Sequence, residues 1–297
     1  MSPAALVLVL FSVCMHAGWN VLGKRNAPSL AFFALAYGAG GALLLPLVWL
    51  GPSLAALPNA FWGWLALSGL CQMLYMAGLA WAYARGEVSV LYPIARALPV
   101  VLVPLVSIAL LGNRTLDVAD GIGMALVVAG ALCLPLSHPE ARRLSTYLTP
   151  AMGFALLAAA GTVGYSLIDK QALALMQLAG HSSLTAGAVF MVLQAVMTLT
   201  WAIPLLMLLP AERRRLPAIR QQGLVMLVVT GLMMTCTYGL VLMALALTDE
   251  VSYVVALRQL SIPVGVLMGV LWLKEPASMA KAAGTLIMLS GLLLVAL

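Results

Sequence analysis

The chain has 297 residues, of which 64% are hydrophobic and 8% are charged, and its formal net charge at pH 7 is +6. Soluble domains carry roughly 25% charged residues, so this composition excludes a water-soluble globular protein and predicts an integral membrane protein. The basic residues are spread among loops at the membrane face, and this distribution does not indicate a nucleic-acid partner.

Apolar runs of about 20 residues recur along the chain, which is the length that an α-helix needs to cross about 30 Å of hydrocarbon. Barrel strands would instead alternate with a period of two over about 10 residues. The runs are 3–22, 30–51, 59–83, 88–111, 118–136, 148–168, 183–209, 224–247, 251–273 and 278–296, here called segments one to ten. We therefore expect an all-α integral membrane protein with ten transmembrane helices.

An internal repeat relates the two halves of the chain. Residues 75–89 (YMAGLAWAYARGEVS) align without a gap on residues 238–252 (YGLVLMALALTDEVS), and the tyrosine, one leucine and the Glu-Val-Ser triplet coincide. Five helices per half is an odd number, so the second half must cross the membrane in the opposite orientation. Inverted repeats of this kind build the alternating gates of many secondary transporters. We expect one repeat at 1–137 and a second, inverted repeat at 148–297, around a central cavity.

Basic residues are distributed unequally between the two alternating sets of loops. The connections after segments one, three, five, seven and nine hold most of them, including the clusters at 142–143 and 213–215. The positive-inside rule places these loops in the cytoplasm and therefore predicts that both termini lie outside.

Two arginines fall deep inside apolar segments. Arg96 lies nine residues after Glu87 and Arg258 lies eight residues after Glu250. At 1.5 Å per residue both arginines approach the bilayer midplane, roughly 14 Å and 12 Å into segments four and nine. A charge there costs from about 3 to more than 10 kcal/mol, and none of the nine carboxylates is expected at that depth.

Two interpretations of the arginines stay open. In the first, each guanidinium group bonds a tyrosine or the backbone carbonyls that Pro93, Pro99, Pro104 and Pro263 release, since these prolines are expected to kink segments four and nine. In the second, the arginines attract an anion, because guanidinium forks match carboxylate and phosphate oxygens.

Segment one carries a polar stripe at helical spacing. Ser12, His16, Asn20 and Lys24 follow each other at intervals of four residues, with Trp19 alongside. Residues four apart share a helix face, so this stripe must face the bundle interior. Histidine ionises near neutral pH, so His16 is a candidate for carrying a coupling proton; the alternative is a neutral imidazole bonded to a carbonyl.

Segment six repeats part of this pattern. Gly18-Trp19-Asn20 and Lys24 align with Gly164-Tyr165-Ser166 and Lys170. Asp169 and Lys170 are expected near a helix end, either solvated or paired, or acting in a gate. Glu87 and Glu250 are interpreted as residues at the start of a helix, where a carboxylate lies near the positive end of the helix dipole. The alternative is a gating salt bridge between Arg85 and Glu87.

The sequence lacks the motifs of chemistry on a bound substrate. It has no P-loop, HExxH, GxSxG or acidic cluster for magnesium, and its four cysteines have no CxxC spacing. We therefore expect no enzyme activity, no metal and no cofactor. The two arginines keep one enzymatic alternative open, an intramembrane enzyme acting on lipid-linked phosphate.

Together the ten segments, the inverted repeat and residues 83–89 (YARGEVS) after an alanine-rich third segment resemble the EamA-type proteins of the drug/metabolite transporter superfamily. Residues 274–276 (KEP) are similar to the acidic turn that this family often places after helix nine. Residues 16–25 (HAGWNVLGKR) are similar to the branch of permeases associated with phosphonate utilisation.

The resemblance implies a bundle of ten helices, with a cavity formed mainly by helices one, three, four, six, eight and nine, and transport of small metabolites by alternating access. It also implies cytoplasmic termini, against the loop charges. Related small multidrug resistance proteins carry a glutamate in the middle of helix one, where this chain offers only His16, so export of cationic drugs is not expected.

These observations predict a multi-pass protein of the bacterial inner (plasma) membrane, a secondary transporter for a small anionic or zwitterionic metabolite. Its partners would be that substrate and membrane lipid, and a monomer suffices, although the oligomeric state stays open. Substrate contacts are expected from Arg96, Arg258, Trp19, Asn20, Tyr92, Tyr165, Tyr75 and Tyr238. The gate candidates are Lys24, Arg85, Glu87, Asp169, Lys170 and Glu250. The alternative within transport is export of amino acids or neutral metabolites, with structural arginines.

Overall fold

The computed structural model describes residues 3–25, 29–85, 88–111, 117–133, 149–221, 223–249, 251–272 and 278–296. Regular structure in these ranges is helical, with no strand among them. The main helices are α1 (Pro3–Arg25), α2 (Leu30–Leu43), α3 (Asn59–Tyr83), α4 (Val88–Leu111), α5 (Val118–Cys133), α6 (Pro150–Leu178), α7 (Ser183–Leu208), α8 (Leu224–Ala246), α9 (Val251–Leu257), α10 (Ser261–Trp272) and α11 (Met279–Ala296). Short helices at Pro210–Arg213 and Leu216–Gln221 and 3-10 turns at Leu45–Leu50, Leu54–Ala56 and Arg258–Leu260 complete the chain's described helical elements.

Within the described ranges, four helices, α3, α6, α7 and α8, are long and apolar enough to cross a membrane, and several shorter apolar helices accompany them. Large apolar side chains such as Phe11, Leu105 and Leu286 lie exposed on the outside of the bundle. Lipid tolerates such a surface, whereas water does not. The chain is therefore an all-α protein of the multi-pass membrane class.

Helix α6 differs from its predicted segment, which was expected to end at residue 168. It begins with Thr149 as N-cap, whose side chain accepts from the Met152 N–H, and it continues to Leu178. Its end is a Schellman motif, with Gly180 at a φ of 94° and the His181 N–H bonded to the Met176 carbonyl. The expectation that Asp169 and Lys170 lie near a helix end was wrong, because the glycine that stops the helix comes later.

The prolines of segments four and nine have different effects. Helix α4 runs without interruption from Val88 to Leu111 although it contains three prolines. Segment nine is divided by the 3-10 turn Arg258–Leu260 between α9 and α10. Pro263 has no N–H to bond the carbonyl of Gln259, which explains why regular α-helical bonding fails in this turn.

The helix packing has a regular pattern. Helix α1 packs on α8 and α6 packs on α3; α2 packs on α8 and α7 on α3; α4 packs on α6 and α10 on α1. Helices α2 and α7 pack on each other, as do α5 and α11. Each helix of the first half has a counterpart in the second half: α1 and α6, α2 and α7, α3 and α8, α4 and α10, and α5 and α11. When every helix is replaced by its counterpart, the same set of packing pairs results.

The contact between α5 and α11 is self-complementary. Gly123 and Gly130 are seven residues apart on α5, as Gly284 and Gly291 are on α11. Gly130 lies against the carbonyl oxygen of Gly284, and Gly291 lies against that of Gly123. Two antiparallel helices related by a two-fold axis make this kind of contact, in which each surface meets its own copy.

Candidate functional site

The two arginines lie together in the interior, where Arg96 is 3% and Arg258 is 7% exposed. Helix α4 brings Arg96 against the 3-10 turn that contains Arg258. The Nη2 of Arg96 donates to Ser261 Oγ at 2.9 Å and to the carbonyl oxygen of Arg258 at 3.4 Å. The Nε of Arg96 is buried without a hydrogen-bond partner in the described part of the chain.

Arg258 is surrounded by tyrosines. Its Nη2 donates to the hydroxyl of Tyr165 at 3.3 Å, and its guanidinium carbon lies 5.8 Å from the ring centroid of Tyr165 and 5.9 Å from that of Tyr238. Tyr165 makes edge-on contacts with Tyr75 and Tyr238 at centroid distances of 5.9 and 5.3 Å. Three expected pocket tyrosines therefore form one cluster against a cation.

The polar stripe of α1 faces the bundle interior at the positions whose side chains are described. Ser12 donates to the carbonyl of Thr237 on α8 at 2.8 Å. Trp19 Nε1 donates to His16 Nδ1 at 3.3 Å, and the two rings meet edge-on at 4.9 Å. His16 lies within electrostatic range of Arg96 and Arg258, so α1 borders the arginine site.

Asp169 is the centre of a second polar cluster and is fully buried. Its carboxylate accepts hydrogen bonds from Ser68 Oγ and Tyr238 Oη, and Gln194 Nε2 approaches it at 3.5 Å. The side chain of Gln194 also donates to Ser68 at 2.9 Å and to Tyr238 at 3.3 Å, and it accepts from Tyr37 at 2.8 Å. These five side chains, called the Asp169 network, join α2, α3, α6, α7 and α8.

Tyr238 connects the Asp169 network to the arginine site. Its hydroxyl group donates to Asp169, while its ring face meets the guanidinium group of Arg258. In the described part of the chain neither Arg96 nor Arg258 makes an ion pair with a carboxylate. Asp169 and Arg258 are therefore linked through Tyr238, which contacts both of them, and not by a direct ion pair.

Lys170 and Arg85 are the remaining gate candidates whose side chains the structure describes. Lys170 Nζ donates to the carbonyls of Leu245 and Thr248 at the C-terminal end of α8, where a cation is favourable. Arg85 is exposed, and its guanidinium group lies 4.9 Å from the ring centroid of Phe154. Of the other expected residues, Glu87, Glu250 and the side chains of Asn20, Lys24 and Tyr92 lie outside the described part of the chain.

Several polar residues of the interior were missed by sequence reasoning, namely Tyr37, Ser68 and Gln194 of the Asp169 network and Glu212. Glu212 accepts from the Ala31 N–H at the start of α2 and from Trp81 Nε1, both at 3.1 Å. A polar side chain inside an apolar segment was an available signal for Gln194. No such signal existed for Glu212, which lies in an arginine-rich connection.

No family model matches the chain, and no curated protein matches it. A solved structure described as "Crystal structure of protein" matches this chain with a TM-score of 0.70 and 15% sequence identity. The match covers 99% of this chain and 98% of the other. At this identity the likeness shows a shared fold over the whole length and carries no function.

Proposed function

We propose that this chain is a secondary transporter for a small anionic or zwitterionic metabolite, an EamA-type member of the drug/metabolite transporter superfamily in a bacterial inner membrane. The observation that carries the proposal is the pair of buried guanidinium groups at one interior site. Arg96 and Arg258 contribute two positive charges and Asp169 at most one negative charge, which leaves an excess of at least one positive charge. Such an excess in a buried site attracts an anion.

Unused hydrogen-bond donors support the same interpretation. A guanidinium group has five N–H donors, and the bonds of Arg96 and Arg258 leave from Nη2 of each. Buried donors without partners are rare and costly, so the unpartnered Nε of Arg96 requires an explanation. A carboxylate, phosphate or phosphonate would accept from these donors in the fork geometry that guanidinium groups favour.

The helix arrangement supports an inverted repeat. The packing pairs are unchanged when the two halves are exchanged, and α5 and α11 meet through matching glycine pairs. Helices interrupted near a central site are typical of transporters built from such repeats, and the break at Arg258 is of this kind. We infer ten membrane crossings and two repeats that rock against each other, so that the site opens to each side in turn.

The aromatic residues would shape the pocket. Tyr165 and Tyr238 hold Arg258 from two sides, and Trp19 orients His16 next to the arginines. Aromatic faces exclude water while they tolerate a cation, so they strengthen the attraction between the guanidinium groups and a bound anion.

A second candidate is export of amino acids or neutral metabolites with purely structural arginines. It is favoured by the bonds that each arginine already makes, Arg96 to Ser261 and Arg258 to Tyr165. In this alternative the hydrogen-bond partners of the guanidinium groups all come from the protein, and the arginines only hold helices together.

Counterflow into proteoliposomes with a panel of organophosphates, phosphonates and amino acids tests the proposal. We expect the wild type to exchange an anion, and Arg96→Gln and Arg258→Gln to lower that rate about 10- to 100-fold, the loss of one charge-assisted bond. Arg220→Gln is the matched control, because Arg220 is exposed in a short helix away from the site.

The proposal is wrong if both arginine variants fold and move the anion at the wild-type rate. Exchange of neutral amino acids that is insensitive to these changes supports the second candidate instead. If the protein is instead an intramembrane enzyme acting on lipid-linked phosphate, mass spectrometry of the same vesicles will detect a chemically altered product.

A further inference from the structure

We propose that Asp169 is the proton-carrying group of this protein and that the proton crosses the membrane in the same direction as the anion. This inference rests on the proposed transport of an anion and adds its energy source. It assigns to Asp169, on α6, the role for which His16 was the candidate from the sequence.

The surroundings of Asp169 suit a carboxyl group that gains and loses a proton. The side chain is fully buried, and its recorded partners Ser68, Tyr238 and Gln194 are all neutral. A buried carboxylate without a cationic partner is expensive, so both protonation states must be within reach. A buried ionisable residue inside a helix long enough to span a membrane marks an ion or proton pathway in membrane proteins.

The hydroxyl groups around Asp169 can satisfy either protonation state. A hydroxyl group both donates and accepts, so Ser68 and Tyr238 donate to the ionised carboxylate. When Asp169 is protonated, its own O–H can donate to one of these oxygens after that hydroxyl group rotates. A serine inside a helix can turn its O–H to the carbonyl four residues back, so Ser68 on α3 keeps an acceptor when Asp169 donates to its oxygen.

Tyr238 couples this proton to the anion. Its hydroxyl group bonds Asp169 and its ring contacts Arg258, whose positive charge stabilises the ionised carboxylate. An anion bound to Arg258 cancels that charge, so Asp169 binds a proton more readily. By linkage a protonated Asp169 strengthens anion binding by the same factor, and positive coupling of this kind is what symport requires.

The charge balance agrees with symport. Arg96, Arg258 and an ionised Asp169 together carry +1 in the empty site. The same three groups carry +2 when Asp169 is protonated, and a bound monovalent anion returns the site to +1. The empty and loaded sites then carry equal charge as they cross between the two faces of the membrane.

Polar and titratable groups from several elements face Asp169. They are Tyr37 on α2, Ser68 and Cys71 on α3, Gln194 on α7, Tyr238 on α8 and Arg258 in the turn before α10, with Arg96 on α4 and Tyr165 on α6 in the adjoining site. The ammonium group of Lys170 bonds carbonyls at the end of α8. His16 Nδ1 accepts a hydrogen bond from Trp19 Nε1 on the same helix, α1.

The test compares exchange with gradient-driven accumulation in proteoliposomes, with methylphosphonate and glycerol 3-phosphate as probes. A pH gradient of one unit, alkaline inside and set below the second pKa of the probes (about 6 for a phosphate monoester) so that they are monoanions, is expected to drive about tenfold accumulation by the wild type for one proton per anion. Asp169→Asn is expected to abolish the accumulation and to retain counterflow. Asp120→Asn is the matched control, because Asp120 is also buried and accepts from Tyr253, yet lies at the start of α5.

The outcomes separate this inference from the proposed function. Absence of wild-type counterflow for every anion defeats the proposed function, and with it the inference. Wild-type counterflow together with gradient-driven accumulation by Asp169→Asn overturns the inference alone.

If Asp169→Asn fails to fold, a measurement on the wild-type protein tests whether a carboxyl group gains a proton when an anion binds. In infrared difference spectra at constant pH, methylphosphonate must strengthen the carbonyl band of a protonated carboxylic acid. An unchanged band overturns the inference.

Discussion

The side chain of Arg96 holds the backbone of Arg258, because its Nη2 donates to the carbonyl oxygen of Arg258 at 3.4 Å. The same nitrogen donates to Ser261 Oγ, one turn further along the segment. One buried arginine thus fixes the turn that positions the other, and the two cations form a single structural unit.

Ser261→Ala removes the shorter of the two bonds that Arg96 makes to this turn, the 2.9 Å bond to Ser261 Oγ. Hydrogen bonds to charged groups contribute about 1.5–3 kcal/mol, so we expect the free energy of unfolding to fall by that amount. Denaturant titration in detergent micelles measures it. Ser290→Ala, at an exposed serine of α11 that bonds its own helix, should change stability far less. Equal losses for the two variants would contradict the assigned bond.

Pro263→Ala restores an N–H that can bond the carbonyl of Gln259. We expect the 3-10 turn to become α-helical, with slower amide hydrogen exchange at 258–263, and we expect anion counterflow to fall because Arg258 is displaced. Pro204→Ala is the control, since Pro204 lies inside α7 with its ring exposed. Counterflow should be unchanged in that variant, and a loss in both would point to a general effect of proline removal.

Gln194→Leu leaves the hydroxyl group of Tyr37 without its acceptor inside the bundle, where Tyr37 is 1% exposed. An orphaned buried polar group costs about 1–3 kcal/mol, so this variant should be destabilised by at least that much. Adding Tyr37→Phe removes the unpaired hydroxyl group, and the double variant should be more stable than Gln194→Leu alone. A thermal unfolding series checks this order, and additive losses would refute the predicted coupling between the two side chains.

Gly130→Ala should loosen the contact between α5 and α11. A Cβ atom at Gly130 would lie 2.5 Å from the carbonyl oxygen of Gly284, a backbone atom that cannot rotate away. Overpacking of this kind costs about 1–3 kcal/mol. Gly121 lies on the same helix with nothing within 4 Å of its added Cβ. Gly121→Ala should therefore gain stability from helix propensity, and thermal unfolding should shift the two variants in opposite directions.

The linear sequence was sufficient for the class of protein and for the position of the arginines. Hydropathy is a sum over neighbours in the chain, so long apolar runs predict buried or lipid-facing helices without knowledge of the fold. The burial of Arg96 and Arg258 followed from their distance to the segment ends. The tyrosines Tyr75 and Tyr238, related by the internal repeat, do contact the same ring, that of Tyr165.

The tertiary structure decided which polar groups meet. Asp169 belongs to the interior because α6 continues past it and because Ser68, Gln194 and Tyr238 arrive from three other helices. Glu212 is buried because the start of α2 and the indole of Trp81 supply its donors. A buried polar group is stable only with partners, and partners distant in the chain cannot be identified from local composition.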